Sequence, residues 1–487
     1  MNRQRVIPLL LIAITLLTFA LVLRNGWVIQ DDPEWIANNP RLHPPTFENF
    51  AYWWTHSMQG LYVPGTYSLW FALAAMGGPH PVIFHLGSLI LHVVSVCLVW
   101  DILKKTLQND IASAIGAAVF AVHPLQVETV AWASGMKDVL AGMLSLAMIQ
   151  QYILFSETAG KHRFFHYGVA FFALLMAMLA KPSASIAPLI AAAIDWMLLK
   201  RRMKSVAAAV IPLLLVTLPL VLVARNAQTI WAEANTALWM RPLIAGDAVA
   251  FYLCKLVWPF RLANDYGRTP DAVMDSGVAI YSWIVPVAVG ICLLLNRGRL
   301  VGEWCGFLIF LVGLLPVLGF TPFMYQVHST VADHYMYLPM FGIAVAAAAA
   351  IRAWPKAGVY RVSSVVLVLL AARSMSQIGY WRDSVSLFGH AMAVNPRNPA
   401  LHGQYGIALV SANRSAEAVE QFQIVANAQP SNPNVLALLG RAQAVSGRLN
   451  EAFRNLSMAA ILSPNDPSLV VDRDNVRRRL DSPATTQ

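Results

Sequence analysis

Ionisable residues gather at four places in a chain that otherwise has few of them. The first is QDDPEWIANNP, where Asp31 and Asp32 follow closely on an apolar run. A carboxylate held beside a bilayer can take the proton of an acceptor hydroxyl or ligate a metal ion. Asp32 before Pro33, with Glu34 next, also suits a helix N-cap, and the two readings are compatible. The second is HPLQVETVAWASGMKD, which brings His123, Glu128, Lys137 and Asp138 between two apolar runs. A continuous helix through 126–138 would set Glu128 and Asp138 roughly 80° apart, so that helix alone would not aim both at one ligand. His123-Pro124 predicts an extended residue before a helix start. Lys137 beside Asp138 reads as a surface ion pair of little worth. The third is Lys181-Pro182, either a lysine snorkelling to the interface or a point charge for a phosphate. The fourth is FTPFMYQVHSTVADHYMYLP, where Asp333, His334 and Tyr335 are adjacent and Tyr337 reads as an interfacial anchor.

Other candidates read more simply. His85 and His92 are seven residues apart on one helix face, which suits hydrogen-bonded core histidines; a metal would need a third ligand that the sequence does not identify. Asp195 and Glu303 are acids within apolar runs, and packing or interfacial roles fit their inner position. The four cysteines show no CxxC or Cys/His spacing, so neither a zinc site nor a disulfide framework is indicated.

The elements that must position these groups are apolar spans. Of 487 residues, 57% are hydrophobic and 12% charged, and the mean hydropathy is +0.55. Soluble domains carry about 25% charged residues, so lipid is the main solvent. The net charge of +10 lies in short basic clusters between apolar runs, as topology requires, and not in an arm for nucleic acid. Met1–Leu23, led by Arg3 and Arg5, reads as a retained anchor. Eleven spans satisfy the charges: 6–23, 81–103, 111–122, 139–156, 164–180, 184–199, 205–224, 277–295, 301–319, 336–351 and 362–375. The apolar piece 245–260 reads as an interfacial or re-entrant helix, because a crossing there would invert Arg297 and Arg299. Every loop called inside is then basic, and all four polar stretches fall on the outer side.

After Gln377 the composition becomes that of a soluble helical domain. Pro396, Pro430 and Pro464 are 34 residues apart, as are Pro399, Pro433 and Pro467; Gly406 repeats at Gly440 and Ala418 at Ala452. This period predicts tetratricopeptide repeats, and odd span parity puts them on the outer side. The expected fold is therefore all-α: a polytopic helical bundle over 1–376, then a short α-solenoid over 377–487.

The ordered set DDPEWIANNP, PHPVIFHLGSLILH, HPLQVETVAWASGMKD, KPSASIAPL, ADHYMYLP and the repeats resembles the GT-C glycosyltransferases, specifically the transmembrane and tetratricopeptide-repeat O-mannosyltransferase-like family and its bacterial relatives. The resemblance covers most of the chain. It implies a polyprenyl-phosphate-linked sugar donor, an acceptor hydroxyl on a protein or glycan, and a catalytic base at Asp31 or Asp32, with Asp31 favoured. It places a second acid at Asp138 with Glu128 nearby, and donor-phosphate contacts at Lys181 and His334. His123, Lys137, Asp333 and Tyr335 are further candidates. No cofactor is firmly implied, and a divalent cation is left open. A bacterial inner membrane, with loops and repeats facing the periplasm, follows from the same likeness. Relatives commonly have arginine where this chain has Met136 and His334, so two permanent charges near the phosphate are missing; His334 would bind it more strongly when protonated. The rival readings are a transporter or flippase for a lipid-linked sugar, for which no repeat between two halves is visible, and a non-catalytic assembly scaffold.

Overall fold

The computed structural model describes residues 3–228 and 236–482. Among them there is no strand, and the chain divides into two compact units, Met1–Arg382 and Asp383–Gln487. The division falls after Arg382, not after 376, because the last long helix continues through the turn Gly379–Trp381, whose Trp381 is buried against Trp132.

The first unit contains α1 (Arg3–Phe19), α2 (Phe47–Tyr52), α3 (Pro64–Gly77), α4 (Pro81–Leu107), α5 (Asp110–Val122), α6 (Val127–Ala131), α7 (Met136–Glu157), α8 (His162–Ala180), α9 (Ala187–Met197) and α10 (Met203–Ala227). Then come α11 (Arg241–Val257), α12 (Pro270–Asp275), α13 (Ala279–Ser282), α14 (Ile284–Leu295), α15 (Val301–Leu314), α16 (Pro339–Ala353) and α17 (Ala357–Ile378). Among the described residues, six stretches are long and apolar enough to cross a bilayer: Arg5–Arg24, Pro81–Leu107, Met136–Glu157, His162–Ala180, Met203–Ala227 and Ala357–Trp381. The unit is an integral membrane bundle. A seventh candidate joins α5 to Pro124–Ala131 across a 50° bend. The spans expected at 184–199, 277–295, 301–319 and 336–351 are shorter or broken helices. Proline starts two of them: Pro182 opens a tight turn ahead of α9, and Pro339 opens α16. A proline has no N–H to extend a helix backwards, so the helix begins there.

With lipid on the outside, helices gain little by hiding apolar surface and instead pack where small residues let backbones approach. A Cβ on Gly306 would meet the carbonyl oxygen of Gly342, and a Cβ on Gly342 would meet that of Gly306, so α15 and α16 touch backbone to backbone. Gly116 on α5 would likewise meet the Ala344 carbonyl at 2.5 Å. Gly306→Ala is expected to cost about 1–3 kcal/mol through overpacking. A melting curve of the detergent-solubilised variant that coincides with wild type would refute this close contact.

The second unit contains α18 (Ser384–Val394), α19 (Pro399–Ser411), α20 (Ser415–Ala428), α21 (Pro433–Val445), α22 (Leu449–Leu462) and α23 (Pro467–Asp481). The first residues of α19, α21 and α23 are 34 residues apart, and so are those of α20 and α22. Each helix packs on the next. The small residues do what the period implied: a side chain at Gly406 would strike Phe422, and one at Gly440 would strike Leu456. Asn398, Asn432 and Asp466 cap the three proline-led helices with their side chains.

Candidate functional site

The segment His123–Asp138 is not an exposed loop: every residue in it is buried. Nor is it one helix. A tight turn, Pro124–Gln126, leads into α6, the chain extends at Trp132, and α7 begins at Met136. The break needs Gly135, because a Cβ there would lie 2.7 Å from the Thr129 carbonyl oxygen and 3.0 Å from that of Trp132. Glu128 and Asp138 therefore sit on different helices, free of the 80° separation that a continuous helix would impose. His123 is extended before Pro124, and both ring nitrogens are engaged. Nδ1 accepts from the Leu125 N–H at 3.2 Å, so Nε2 carries the proton and faces the Leu256 carbonyl at 3.2 Å. That is a positional role within the break.

Lys137 and Asp138, expected to pair with each other at the surface, point to different partners because successive residues of a helix face different ways. Lys137 has its Nζ 4.7 Å from the centre of the Trp35 ring and 4.6 Å from Trp132, and 3.9 Å from Asp31 Oδ2. Asp138 accepts from Lys181 Nζ at 2.5 Å. Lys181 is held out by its own backbone: α8 stops at Ala180, the residue before Pro182 is extended, and Thr66 Oγ1 on α3 bonds the Ala180 carbonyl at 2.9 Å. Its Nζ also lies 5.6 Å from the ring centre of Tyr335.

The two adjacent aspartates have different surroundings. Asp32 is 0% exposed. Its Oδ1 accepts from the Ser134 N–H at 2.9 Å and the Ser134 hydroxyl at 2.7 Å, and its Oδ2 accepts from the Val28 N–H at 3.1 Å. The carboxylate does not cap the following helical turn Pro33–Ala37, because these partners turn it the other way. Burial pushes its pKa up to about 7, against the pull of those hydrogen bonds. Asp31 keeps 39% of its side chain exposed. Burial of its surroundings raises its carboxyl above the usual range, and the Lys137 charge pulls the other way. Its backbone is left-handed, φ 68°, and the Asp32 N–H bonds the Gln30 carbonyl at 2.9 Å, closing a tight three-residue turn around it. Turns of this kind are rare and strained.

His334 lies in the short turn Asp333–Met336, its Nδ1 2.7 Å from Glu128 Oε1. Burial, reinforced by the positive Lys181 and Lys137, holds the imidazole pKa well below its usual value. The ring is thus held neutral, so the stronger phosphate binding that a protonated His334 would give is not available, and it offers hydrogen bonds and no charge. Asp333 turns away to accept from Tyr266 at 2.8 Å, and burial pushes its carboxyl up to about 7. Tyr337 is no interfacial anchor. It is buried, with its hydroxyl 3.0 Å from His92 Nδ1, and His92 Nε2 faces the Ala121 carbonyl at 3.0 Å. Asp195 is held by Tyr152 and Arg201 at 2.7 and 2.9 Å, the packing role expected of it.

Beneath the Lys181–Asp138 pair lies a crevice of about 40 Å³, lined by Asp138, Ser145, Ser183, His334 and Tyr335 among others. One oxygen of Glu128 and one of Asp138 are buried without a protein partner, so the site has unspent acceptors for a hydroxyl-rich ligand. Among the described residues, no three His, Cys, Asp or Glu side chains converge to hold a metal ion. The carboxylates here face Lys137, Lys181 and His334. Sequence reasoning missed Ser134, Gln30, Asn264 and the two tryptophans around Lys137. The Ser-Gly pair after Trp132 was the one available signal, since it marks a break in a helix.

No family model matches the chain. Two curated proteins are similar to it: protein O-mannosyl-transferase Tmtc2 of Drosophila melanogaster, 26% identical over 253 residues, and protein O-mannosyl-transferase TMTC1 of Mus musculus, 30% identical over 142 residues. The matches cover 47% and 26% of this chain but 27% and 15% of those proteins, so the chain matches about a quarter or less of each relative's length. A solved structure, ArnT from Cupriavidus metallidurans bound to undecaprenyl phosphate, aligns over 92% of this chain and 79% of its own at 13% identity, with a TM-score of 0.41. A likeness of the same kind is thus found in comparison with curated proteins: over up to about half of its length, the chain resembles protein O-mannosyl-transferases.

Proposed function

We propose that the chain is a membrane glycosyltransferase of the GT-C kind, which moves a sugar from a polyprenyl-phosphate donor to an acceptor hydroxyl at the extracytoplasmic face. The observation that carries this reading is a pair of neighbouring ion pairs, the partly exposed, strained carboxylate Asp31 beside buried Lys137 and half-buried Lys181 on Asp138, with Asp138 also lining a crevice. The similarity to O-mannosyl-transferases supports it. In the reaction, Asp31 takes the proton of the acceptor hydroxyl as its oxygen bonds to the anomeric carbon. The bond from that carbon to the phosphate oxygen breaks, and polyprenyl phosphate leaves with the electron pair. Lys181 turns from Asp138 to the phosphate and offsets its charge, while Lys137 steadies Asp31. Neutral His334 and Tyr335 wall the crevice. The helical repeats hold the acceptor protein or glycan on a concave surface. The bacterial inner membrane, with the site facing the periplasm, is the setting that this reading assigns.

The test is transfer by purified protein in lipid nanodiscs, with a panel of radiolabelled polyprenyl-phosphate sugars. Transfer from at least one donor is expected; none from any donor overturns the reading in favour of a flippase or scaffold. The base works only when ionised, so activity is expected to fall as pH drops through the Asp31 pKa. Because burial raises that pKa, the acid limb should lie above the ordinary carboxylate value of about 4. A rate still flat below that value would argue against Asp31 as base.

A further inference from the structure

We propose that Asp32 and Ser134 are positioning residues, which hold the strained turn that presents Asp31. This inference rests on the reading of Asp31 as base. A non-glycine residue at φ 68° with a bond across it from residue 32 to residue 30 is not a conformation that the chain keeps unaided. Both neighbours of Asp31 are gripped. On one side, Asp32 takes three hydrogen bonds, two of them from Ser134, 102 residues away. On the other, the Gln30 carbonyl accepts from Trp132 Nε1 at 2.9 Å, and the Gln30 side-chain oxygen accepts from Asn264 at 2.7 Å. Among the described residues, the carboxylate of the residue between them has a looser partner, Lys137 at 3.9 Å.

Ser134 also belongs to the break that leads into α7, which carries Lys137 and Asp138 at its start. The Asp32–Ser134 contact therefore sets the distance between the proton acceptor on the first loop and the charged wall on α7. It does so without touching substrate. A serine is suited to this, since its N–H and O–H reach the same carboxylate oxygen.

The experiment uses the full chain in nanodiscs and a polyprenyl-phosphate sugar that wild type accepts. Ser134→Ala removes one donor and keeps the backbone N–H. Its kcat should fall about tenfold to a hundredfold, as small misplacements do. The KM for donor and the binding of polyprenyl phosphate should stay within about twofold. Because the effect runs through Asp31, adding Ser134→Ala to Asp31→Asn should leave the residual single-turnover rate unchanged. Asn264→Ala, which frees the other flank, should show the same pattern and serves if Ser134→Ala fails to fold. A wild-type kcat in both variants, or the same fold-loss in the Asp31→Asn background, overturns the proposal. A wild-type rate for Asp31→Asn alone overturns the base assignment itself, whatever Ser134 shows.

Discussion

Asp31→Asn is expected to lower transfer by about 10²–10⁴-fold, the usual contribution of a placed general base. The substitution is selective because asparagine, like aspartate, tolerates a left-handed backbone, so the turn at φ 68° survives. The amide occupies the same volume beside Lys137 but cannot take a proton. Asp31→Ala is the poorer probe, since it adds a strained backbone to the lost group. Single-turnover rates and melting temperature should separate: the rate collapses while the fold persists. Asp32→Asn should behave differently. An amide nitrogen facing the Val28 N–H would set donor against donor, and the loop itself should loosen. If Asp32→Asn kills transfer at full stability while Asp31→Asn does not, the roles of the two residues are reversed.

The second large effect is at Lys181. Removing it leaves Asp138 with one oxygen stripped of its cation and the other already without a protein partner. The two side chains are 18% and 8% exposed, so little water can compensate. Breaking such a pair from one side costs about 3 kcal/mol at the low end of the buried range. Lys181→Met should therefore lose both stability and about 10²–10³-fold in kcat, the worth of a group facing charge that grows in the transition state. The double variant Lys181→Met with Asp138→Asn distinguishes the two losses. It should recover most of the melting temperature and none of the rate. Recovery of rate as well would mean that Lys181 only neutralises Asp138 and never meets the phosphate.

What could be read from the residues divides by range. Apolar runs and prolines are local signals: the runs mark the long helices, and the 34-residue spacing of Pro399, Pro433 and Pro467 marks the repeat whose helices they lead. Asp31 and Asp32 stood out because two adjacent acids follow an apolar anchor. Their different fates were illegible, since Asp32 is fixed by Ser134 and Gln30 by Asn264, across 102 and 234 residues. The burial of 123–138 was hidden for a related reason. Polar residues in an apolar chain suggest water, yet here each finds its partner on another element: Glu128 at His334, Lys137 at Asp31, Asp138 at Lys181. Pairing of that kind is a property of topology, and spacing along one helix carries no trace of it.

The two grips on the first loop also bear on the order in which the protein is made. Chains emerge from the N-terminus, and the membrane part is laid down span by span. When residues 30–32 are made, neither Ser134 nor Asn264 has been synthesised. The strained turn lacks its Ser134 and Trp132 ties until those residues are made, and its Asn264 tie until more than half of the chain exists. A nascent protein thus holds this loop by fewer ties than the finished one until residue 264 has been made. A segment made early is finished only when much later ones arrive.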